Sequence, residues 1–468
     1  MSVSQKCLRQ PQKTQKQHAS QRTRRKQRQK RLNRLRQEGR NLLFRLRKTI
    51  DHHFPDLYER IERIPECRKQ PQYSLLEILL AGVAMFLFKK GSRNAMNNER
   101  DDPTFRAQYE RLFKARLPHM DTVEDVMEVL DDQHVETLKV TLMQGLLAKK
   151  VLRRFRLFGQ YYQVVIDGTH VMDVPKGHCQ HCLHQTLKNG KIRYFHTVVE
   201  AKLVGSNGFC LSLASEWVEN AEEYDKQDCE FKGFKRLAEQ LKHDYPRLPI
   251  CVVADGLYPN QSFFRICRDN GWAWIVTLKD GSLSSVWKQV LHWQGVKRCR
   301  SRKEHIWKGK QEIYRRYEWQ VNLSYEGFTV HWWECTERVV EKTWIRFVYL
   351  TSLSEVGYQT MLELTARGRM RWKIENEGFD VQKHHGYGLG HQFSRSSMRA
   401  MKNYYQLMQI AHLLNQLFEL GTLLTAIRGA KESLAHIWLC VVGELRHETL
   451  DFGVLTALLA RRIRIQYG

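Results

Sequence analysis

Apolar positions recur at helix spacing from Thr49 to about Phe158, with Leu75, Leu76, Leu79, Leu80, Val83 and Phe86 predicting one buried face. Asp121 and Glu124 read as a capping box opening a further helix that carries Val126, Val129 and Leu130. The period then changes. Tyr161 to Ile166 is a β-branched and aromatic run that ends at Asp167-Gly168, the pattern of a strand followed by a turn. Ile192 to Val204 and Phe209 to Leu213 predict a hairpin about Ser206-Asn207-Gly208, and Glu230 to Leu241 a helix. Ile250 to Ala254 is a buried strand ending at Asp255-Gly256, Phe263 to Arg268 is helical, and Trp272 to Leu278 is another strand.

Three strands, a helix, a strand, a helix and a strand is the order of a ribonuclease H-like α/β core built on a mixed sheet. Between Gly281 and Leu353 the pattern is strand-like and rich in Trp, as in Tyr317-Glu318-Trp319-Gln320-Val321 and Val330-His331-Trp332-Trp333, so this β-rich block reads as an insertion. Tyr358 to Gln382 is helical again, as is most of the remainder to Ile463. The expected fold is thus an interrupted α/β core flanked by N-terminal and C-terminal helical regions.

Composition narrows the partners. Hydrophobic residues make up 42% of the 468 residues, with 12 Trp, which is enough for a core and excludes global disorder. Lys and Arg number 76 against 50 Asp and Glu, a formal charge of +26. From Met1 to Ile50 there are 17 Lys or Arg and one acid, Glu38, so roughly +16 of that charge lies in the first tenth of the chain. Such a run suits a solvated tail that neutralises phosphates without reading sequence. The best apolar stretch, Leu75 to Phe88, is too short to span a bilayer and contains Glu77. No signal peptide is evident, and the eleven Cys, including Cys210, Cys251, Cys267 and Cys440 in apolar surroundings, suit reduced buried thiols. A cytoplasmic, non-membrane protein with nucleic acid as its partner is expected.

Two buried strands each end in Asp-Gly, at Asp167-Gly168 and Asp255-Gly256. Either pair alone is equally a tight turn. In an α/β sheet, however, the carboxyl ends of strands face the ligand crevice, so the two carboxylates would converge and call for a hard divalent cation. Holding a metal pair takes a third carboxylate. Arg367, Arg371, Glu375 and Phe379 recur every four residues and form one stripe on the following helix. Glu375 would complete the metal site while the two Arg meet DNA phosphates. Glu377 competes for the role because helix phase is not fixed by sequence.

These segments resemble a known family. Ile166-Asp167-Gly168-Thr169, Ala254-Asp255-Gly256-Leu257-Tyr258 and Arg371-Trp372-Lys373-Ile374-Glu375 resemble the DDE transposases of bacterial insertion sequences, in the type 4 group, over about Pro71 to Leu414. In that group the last carboxylate sits in a signature of Tyr, two residues, Arg, three residues, Glu, six residues, Lys. Arg371 and Glu375 fit; Gly368 stands at the Tyr position and Gln382 at the Lys position, with Lys383 one residue later. The resemblance implies cut-and-paste DNA transposition. Asp167, Asp255 and Glu375 would hold two Mg2+ (or Mn2+) ions, and Arg367, Arg371 and Lys383 would contact DNA. The partners would be double-stranded DNA, as terminal inverted repeats and as target, bound by a homodimer. The domains would be a disordered basic tail (1–48), a helical DNA-end-binding region (49–160), the first part of the core (161–280), the insertion (281–353), the last catalytic helix (354–395) and a C-terminal helical region (396–468). The rivals are a metal-dependent nuclease without strand transfer and a transposase-derived DNA-binding protein.

Three further features stand beside this reading. Lys226-Gln227-Asp228-Cys229-Glu230 also resembles a segment of some of these transposases, and its simplest physical reading is a helix start with Asp228 as N-cap and Glu230 complementing the dipole. His178-Cys179-Gln180-His181-Cys182-Leu183-His184 offers ligands for a structural Zn2+, with Cys179, Cys182 and His184 as the candidate set and Cys229 as a remote fourth. Against this, adjacent residues rarely share one ion, and a metal-free loop fits the same residues. Trp319, Trp332 and Trp333 suit the core of the β-rich block, or one of them a stack on an extruded base.

Overall fold

A computed structural model describes residues 41–465 apart from 175–178, 180, 221–226, 310, 341–342, 355–356, 392, 395–396, 448–451 and 461–462. The fold is mixed α/β: one ten-stranded sheet with helices on both faces and a helical unit at one end. The strands are β1 (Tyr162–Val174), β2 (Leu183–Thr186), β3 (Ile192–Val204), β4 (Cys210–Val218), β5 (Ile250–Ala254), β6 (Ala273–Thr277), β7 (Arg300–Lys308), β8 (Gln311–Tyr325), β9 (Phe328–Val339) and β10 (Ile345–Thr351). Their order is β2-β3-β1-β5-β6-β10-β9-β8-β7, with β4 pairing β3 beyond β2.

β1, β3 and β4 are antiparallel, whereas β5 and β6 run parallel to β1. Parallel neighbours need crossover helices. Glu230–Asp244 leads into β5, and Gln261–Asp269 leads from β5 to β6. The β-rich block is not a separate small sheet, because β10 pairs antiparallel with β6 and carries β9, β8 and β7 outward on the same sheet. Trp332 and Trp333 are fully buried and Trp319 nearly so, which fits their packing role and leaves no face for a base.

The two helical regions form one unit. Helix Met398–Glu419 is buried around almost its whole circumference, against Leu75–Leu87, Met120–Val129 and Asp132–Ala148. Helix Leu42–His53 begins inside the segment assigned to the tail. The N–H groups of Leu42 and Leu43 donate to the two carboxylate oxygens of Glu444 at 2.8 Å each, so an acid some 400 residues away satisfies that helix end. Arg45 is buried there too, with Nη1 donating to the Leu423 carbonyl at 3.2 Å. The rest of the expected tail, 1–40, lies outside the described residues.

Two caps differ from expectation. Helix Met120–Val129 is capped by His119, whose Nδ1 accepts from the Asp121 N–H, and the reciprocal capping box belongs to Ser74 and Glu77. None of the described cysteines is in a disulfide, and among the described residues no helix is long and apolar enough to cross a membrane.

Candidate active site

Asp255 ends β5 in the predicted turn, its Oδ1 accepting from the Leu257 N–H at 2.8 Å. Asp167 does not end β1. The strand runs on to Val174 because β3 keeps supplying ladder partners, with Asp167 opposite Glu200 and Gly168 opposite Val199. What ends at this level is the pairing with β5, whose last partners are Val165 and Val253. Two further residues in the same register bring Asp167 level with Asp255 on the adjacent parallel strand. The crevice between the strands opens where both carboxylates stand.

The register also assigns faces. Residues directly opposite in an antiparallel pair share a face, and so do positions two apart along a strand. Asp167 therefore shares a face with Glu200 and Lys202. Lys202 is fully buried and donates to Gln382 Oε1 at 3.3 Å and Gln409 Oε1 at 3.2 Å, so the segment around Gln382 covers this face. Gly168 shares the other face with Val199, which lies against Gly233 of helix Glu230–Asp244.

The segment on the Asp167 face departs from a regular helix. Helix Tyr358–Arg369 stops, the chain turns at Met370–Arg371, and a widened π-helical stretch, Ile374–Phe379, precedes the helix Asp380–His384. The four-residue stripe is thereby broken: Phe379 is buried and Glu375 is half-buried in the π stretch. Such π turns recur at functional sites. Arg371 Nη1 lies 3.3 Å from Asp167 Oδ2 and so holds the carboxylate itself. Arg367 faces inward, donating to Gln163 Oε1 at 3.2 Å and pairing with Glu363 at 3.4 Å, which takes its guanidinium up within the protein. Glu377 pairs with Lys373 at 2.7 Å. Lys383 is half-buried, its ammonium 6.0 Å from the Phe379 ring centre.

The two positions at which the sequence differs from the signature it resembles, Gly368 and Gln382, have steric and electrostatic reasons. A Cβ at Gly368 would stand 2.8 Å from the Tyr349 ring, so an aromatic from β10 fills the space that a Tyr at 368 would need. Gln382 is fully buried against Lys202, where a second ammonium would be repelled.

A third acid arrives from the opposite face. Glu230, in the first turn of its helix, accepts from Tyr258 Oη at 2.6 Å, and a Cβ on Gly168 would approach its Oε2 to 2.8 Å. The position is open to glycine alone without displacement. Helix phase placed Glu230 at a helix start, but only the tertiary fold brings it to the aspartates. Asp228 is not the N-cap; that position is Cys229, and Asp228 pairs with Arg236 at 2.7 Å.

The electrostatics follow from this crowding. Burial pushes the Asp167 carboxyl up to about 7; Arg371 opposes this, and Glu230 and Asp255 reinforce it. Burial also raises Glu230, with the Tyr258 hydrogen bond lowering it and Asp255 adding to the rise. Lys279 Nζ lies 3.7 Å from Asp255 Oδ2. An oxygen-only set of acids that disfavour one another's charge, one of them poorly solvated, suits a hard divalent cation by its chemistry.

A second constellation lies beyond the Asp167 strand. Cys179 Sγ and Cys182 Sγ are 3.6 Å apart, and His196 Nε2 is 3.5 Å from each. Among the described residues this is the close group of metal-ligating side chains, and Asp167, Asp255 and Glu375 do not form one as tight. His184 is not part of it; its ring tilts against Tyr194 at 6.1 Å. Cys229, the expected remote ligand, is exposed at its helix start and is outside the group.

No family model matches the chain, and no curated protein matches it. Among solved structures, the cryo-EM structure of the piggyBac transposase synaptic complex with hairpin DNA aligns with 90% of this chain and 83% of that one, at a TM-score of 0.41 and 10% identity.

Proposed function

We propose that this chain is a DDE transposase with a ribonuclease H-like core, cleaving DNA at the ends of a mobile element and joining the freed ends to target DNA. The observation that carries the reading is the level position of Asp167 and Asp255 on adjacent parallel strands, beside a widened helical stretch, Ile374–Phe379, that packs against β1 and contains Glu375. The strand and helix order β1, β3, β4, helix, β5, helix, β6 agrees with such a core, with β2 as an addition.

Asp167, Asp255 and Glu375 would hold two Mg2+ or Mn2+ ions, which when bound supply Lewis acidity and an activated water. The chain's own residues do the rest. Arg371 orients Asp167 and offsets part of its charge, and Lys279 does the same for Asp255. In the first reaction a P–O3′ bond breaks, water supplies the new oxygen on phosphorus, and the strand leaves with a 3′-hydroxyl. That hydroxyl then attacks a second phosphodiester, losing its proton as the new P–O bond replaces the old one. Bringing two ends together requires at least two copies of the chain.

The test is to incubate the full chain with duplex containing the DNA that flanks its coding sequence, in Mg2+, and to resolve nicked, hairpin and joined products. Asp167→Asn, Asp255→Asn and Glu375→Gln should lose cleavage and keep DNA binding, while Glu377→Gln keeps both. Cleavage by Asp167→Asn at the wild-type rate would refute the site. Nicking without joined product would favour a nuclease, and binding without nicking a DNA-binding protein.

A further inference from the structure

We infer that Cys179, Cys182 and His196 bind one zinc ion, clasping the turn before β2 onto β3. With Zn–S near 2.3 Å and Zn–N near 2.0–2.1 Å, a tetrahedral ion sets its ligand atoms about 3.8 Å apart for S–S and about 3.5 Å for S–N. The separations of 3.6, 3.5 and 3.5 Å describe one face of that tetrahedron. They do not describe a disulfide, whose sulfurs bond at about 2.05 Å.

The imidazole is delivered by strand register. His196 lies on β3 opposite Met172, just past the irregularity in the β1–β3 ladder, and is fully buried with Nε2 toward both sulfurs. His184, closer in sequence to the two Cys, is on β2 and pairs across to Tyr194.

The surroundings hold the turn in place. Asn220 Nδ2 donates to the Cys182 carbonyl at 3.0 Å, and Asn220 Oδ1 accepts from the Asp228 N–H at 3.2 Å. Gln227 bonds the backbone of His184 on both sides, donating to its carbonyl at 3.1 Å and accepting from its N–H at 2.8 Å. Asp228 lies two residues before Glu230. The clasp therefore ties the Cys turn to the start of the helix that carries Glu230 to the aspartates, which makes it structural and distinct from the oxygen-only site. A further donor or a water fills the fourth corner.

The test uses the full chain, purified without chelator and with any affinity tag removed. Elemental analysis should find one zinc per chain. Co2+ exchanged into the wild-type protein should give a thiolate-to-metal charge-transfer band and tetrahedral d–d bands. Cys179→Ser, Cys182→Ser and His196→Ala should each lose the metal, and His184→Ala should retain it. Because a variant can fail by misfolding, the wild-type Co2+ spectrum carries the test independently. Wild-type protein without zinc that gives no thiolate–Co2+ band would overturn the site. So would a Cys179–Cys182 disulfide in the freshly purified chain, or loss of metal from His184→Ala with retention in His196→Ala.

Discussion

Replacing Asp167 with Asn should stabilise the metal-free protein, and only once the pH is high enough. The carboxyl rises from 3.8 to about 7, because burial strips its water and Glu230 and Asp255 add like charge against the pull of Arg371. The folded value lies above the unfolded one. No penalty therefore exists below about pH 4, where both states hold the proton; it grows as pH rises and is complete above about pH 7, where both are ionised. At about 1.36 kcal/mol for each factor of ten in proton affinity, the ionised form costs about 4 kcal/mol. The side chain keeps 22% of its exposure, and solvent screening trims this to about 2–4 kcal/mol. Asn cannot ionise and retains one oxygen for either Arg371 or the Gly168 N–H, losing about 1 kcal/mol of hydrogen bonding.

Thermal melts in buffer free of divalent Mg2+ and Mn2+ at pH 4.5, 6 and 8 measure the difference. Asp167→Asn should match or fall slightly below wild type at pH 4.5 and exceed it by about 1–3 kcal/mol at pH 8, a rise of a few degrees. Added Mg2+ should raise the melting temperature of wild type at pH 8 and leave Asp167→Asn unmoved. A variant equally stabilised at pH 4.5 and pH 8, or destabilised at both, would refute the electrostatic reasoning.

Other perturbations probe the surroundings. Gly168→Ala should push Glu230 off Tyr258 while changing stability by no more than about 1 kcal/mol, so a normal melt with slowed cleavage is expected, and unaltered cleavage would free Glu230 from the site. Gln382→Lys sets a second ammonium against buried Lys202; denaturant titration should find a loss of about 3 kcal/mol, and a neutral result would contradict the burial of that pair. Deleting 1–40 removes fourteen Lys or Arg and one acid. Anisotropy with an arbitrary duplex between about 50 and 200 mM salt should give a shallower salt dependence, by about 0.9 in slope for each phosphate that the tail neutralises, and an unchanged slope would remove the tail from DNA binding.

Local patterns carried much of the fold. β-branched runs such as Ile250–Ala254 spell strands, and Asn207-Gly208 spells the β3–β4 hairpin. Where the sequence misled, a distant partner outweighed a local signal. Asp167-Gly168 carries the same turn signature as Asp255-Gly256, yet β3 extends the strand through the first and nothing extends the second. Spacing alone favours His184 as the imidazole beside the two Cys, and strand register delivers His196 instead. Four-residue periodicity presumes an unbroken helix, so the turn at Met370–Arg371 and the π stretch after it lay outside what periodicity can express. Both aspartates were legible because an apolar run followed by Asp-Gly marks the level where β1 and β5 stop pairing, although only β5 ends there. Glu230 was legible as a helix start within a segment that resembles some transposases, but its approach to Gly168 depends on how that helix crosses the sheet.

The faces of β1 explain how a strongly basic chain keeps an acidic centre. On one face, Glu200 opposite Asp167 is fully buried, with its Oε1 accepting from Ser215 Oγ at 2.5 Å and Tyr405 Oη at 2.7 Å, and Lys202 lies two residues further along β3. On the other, Glu230 leans over Gly168. Three acids, Asp167, Glu230 and Asp255, thus gather at one level of β1 and β5 with Arg371 and Lys279 beside them, while Glu200 bonds Ser215 and Tyr405 with the buried Lys202 and Lys139 nearby. At the crevice itself two cations, Arg371 and Lys279, face three acids, and Asp167 stays poorly solvated. Under the proposed reading this negative excess would suit a mobile divalent cation better than a further Lys or Arg, because the ion brings its own coordination sphere and departs without unfolding the chain. Under the proposed reading, the basic residues elsewhere would attract a polyanion to a centre that its own acids would otherwise repel, and metal loading and productive DNA engagement would be coupled through the same carboxylates.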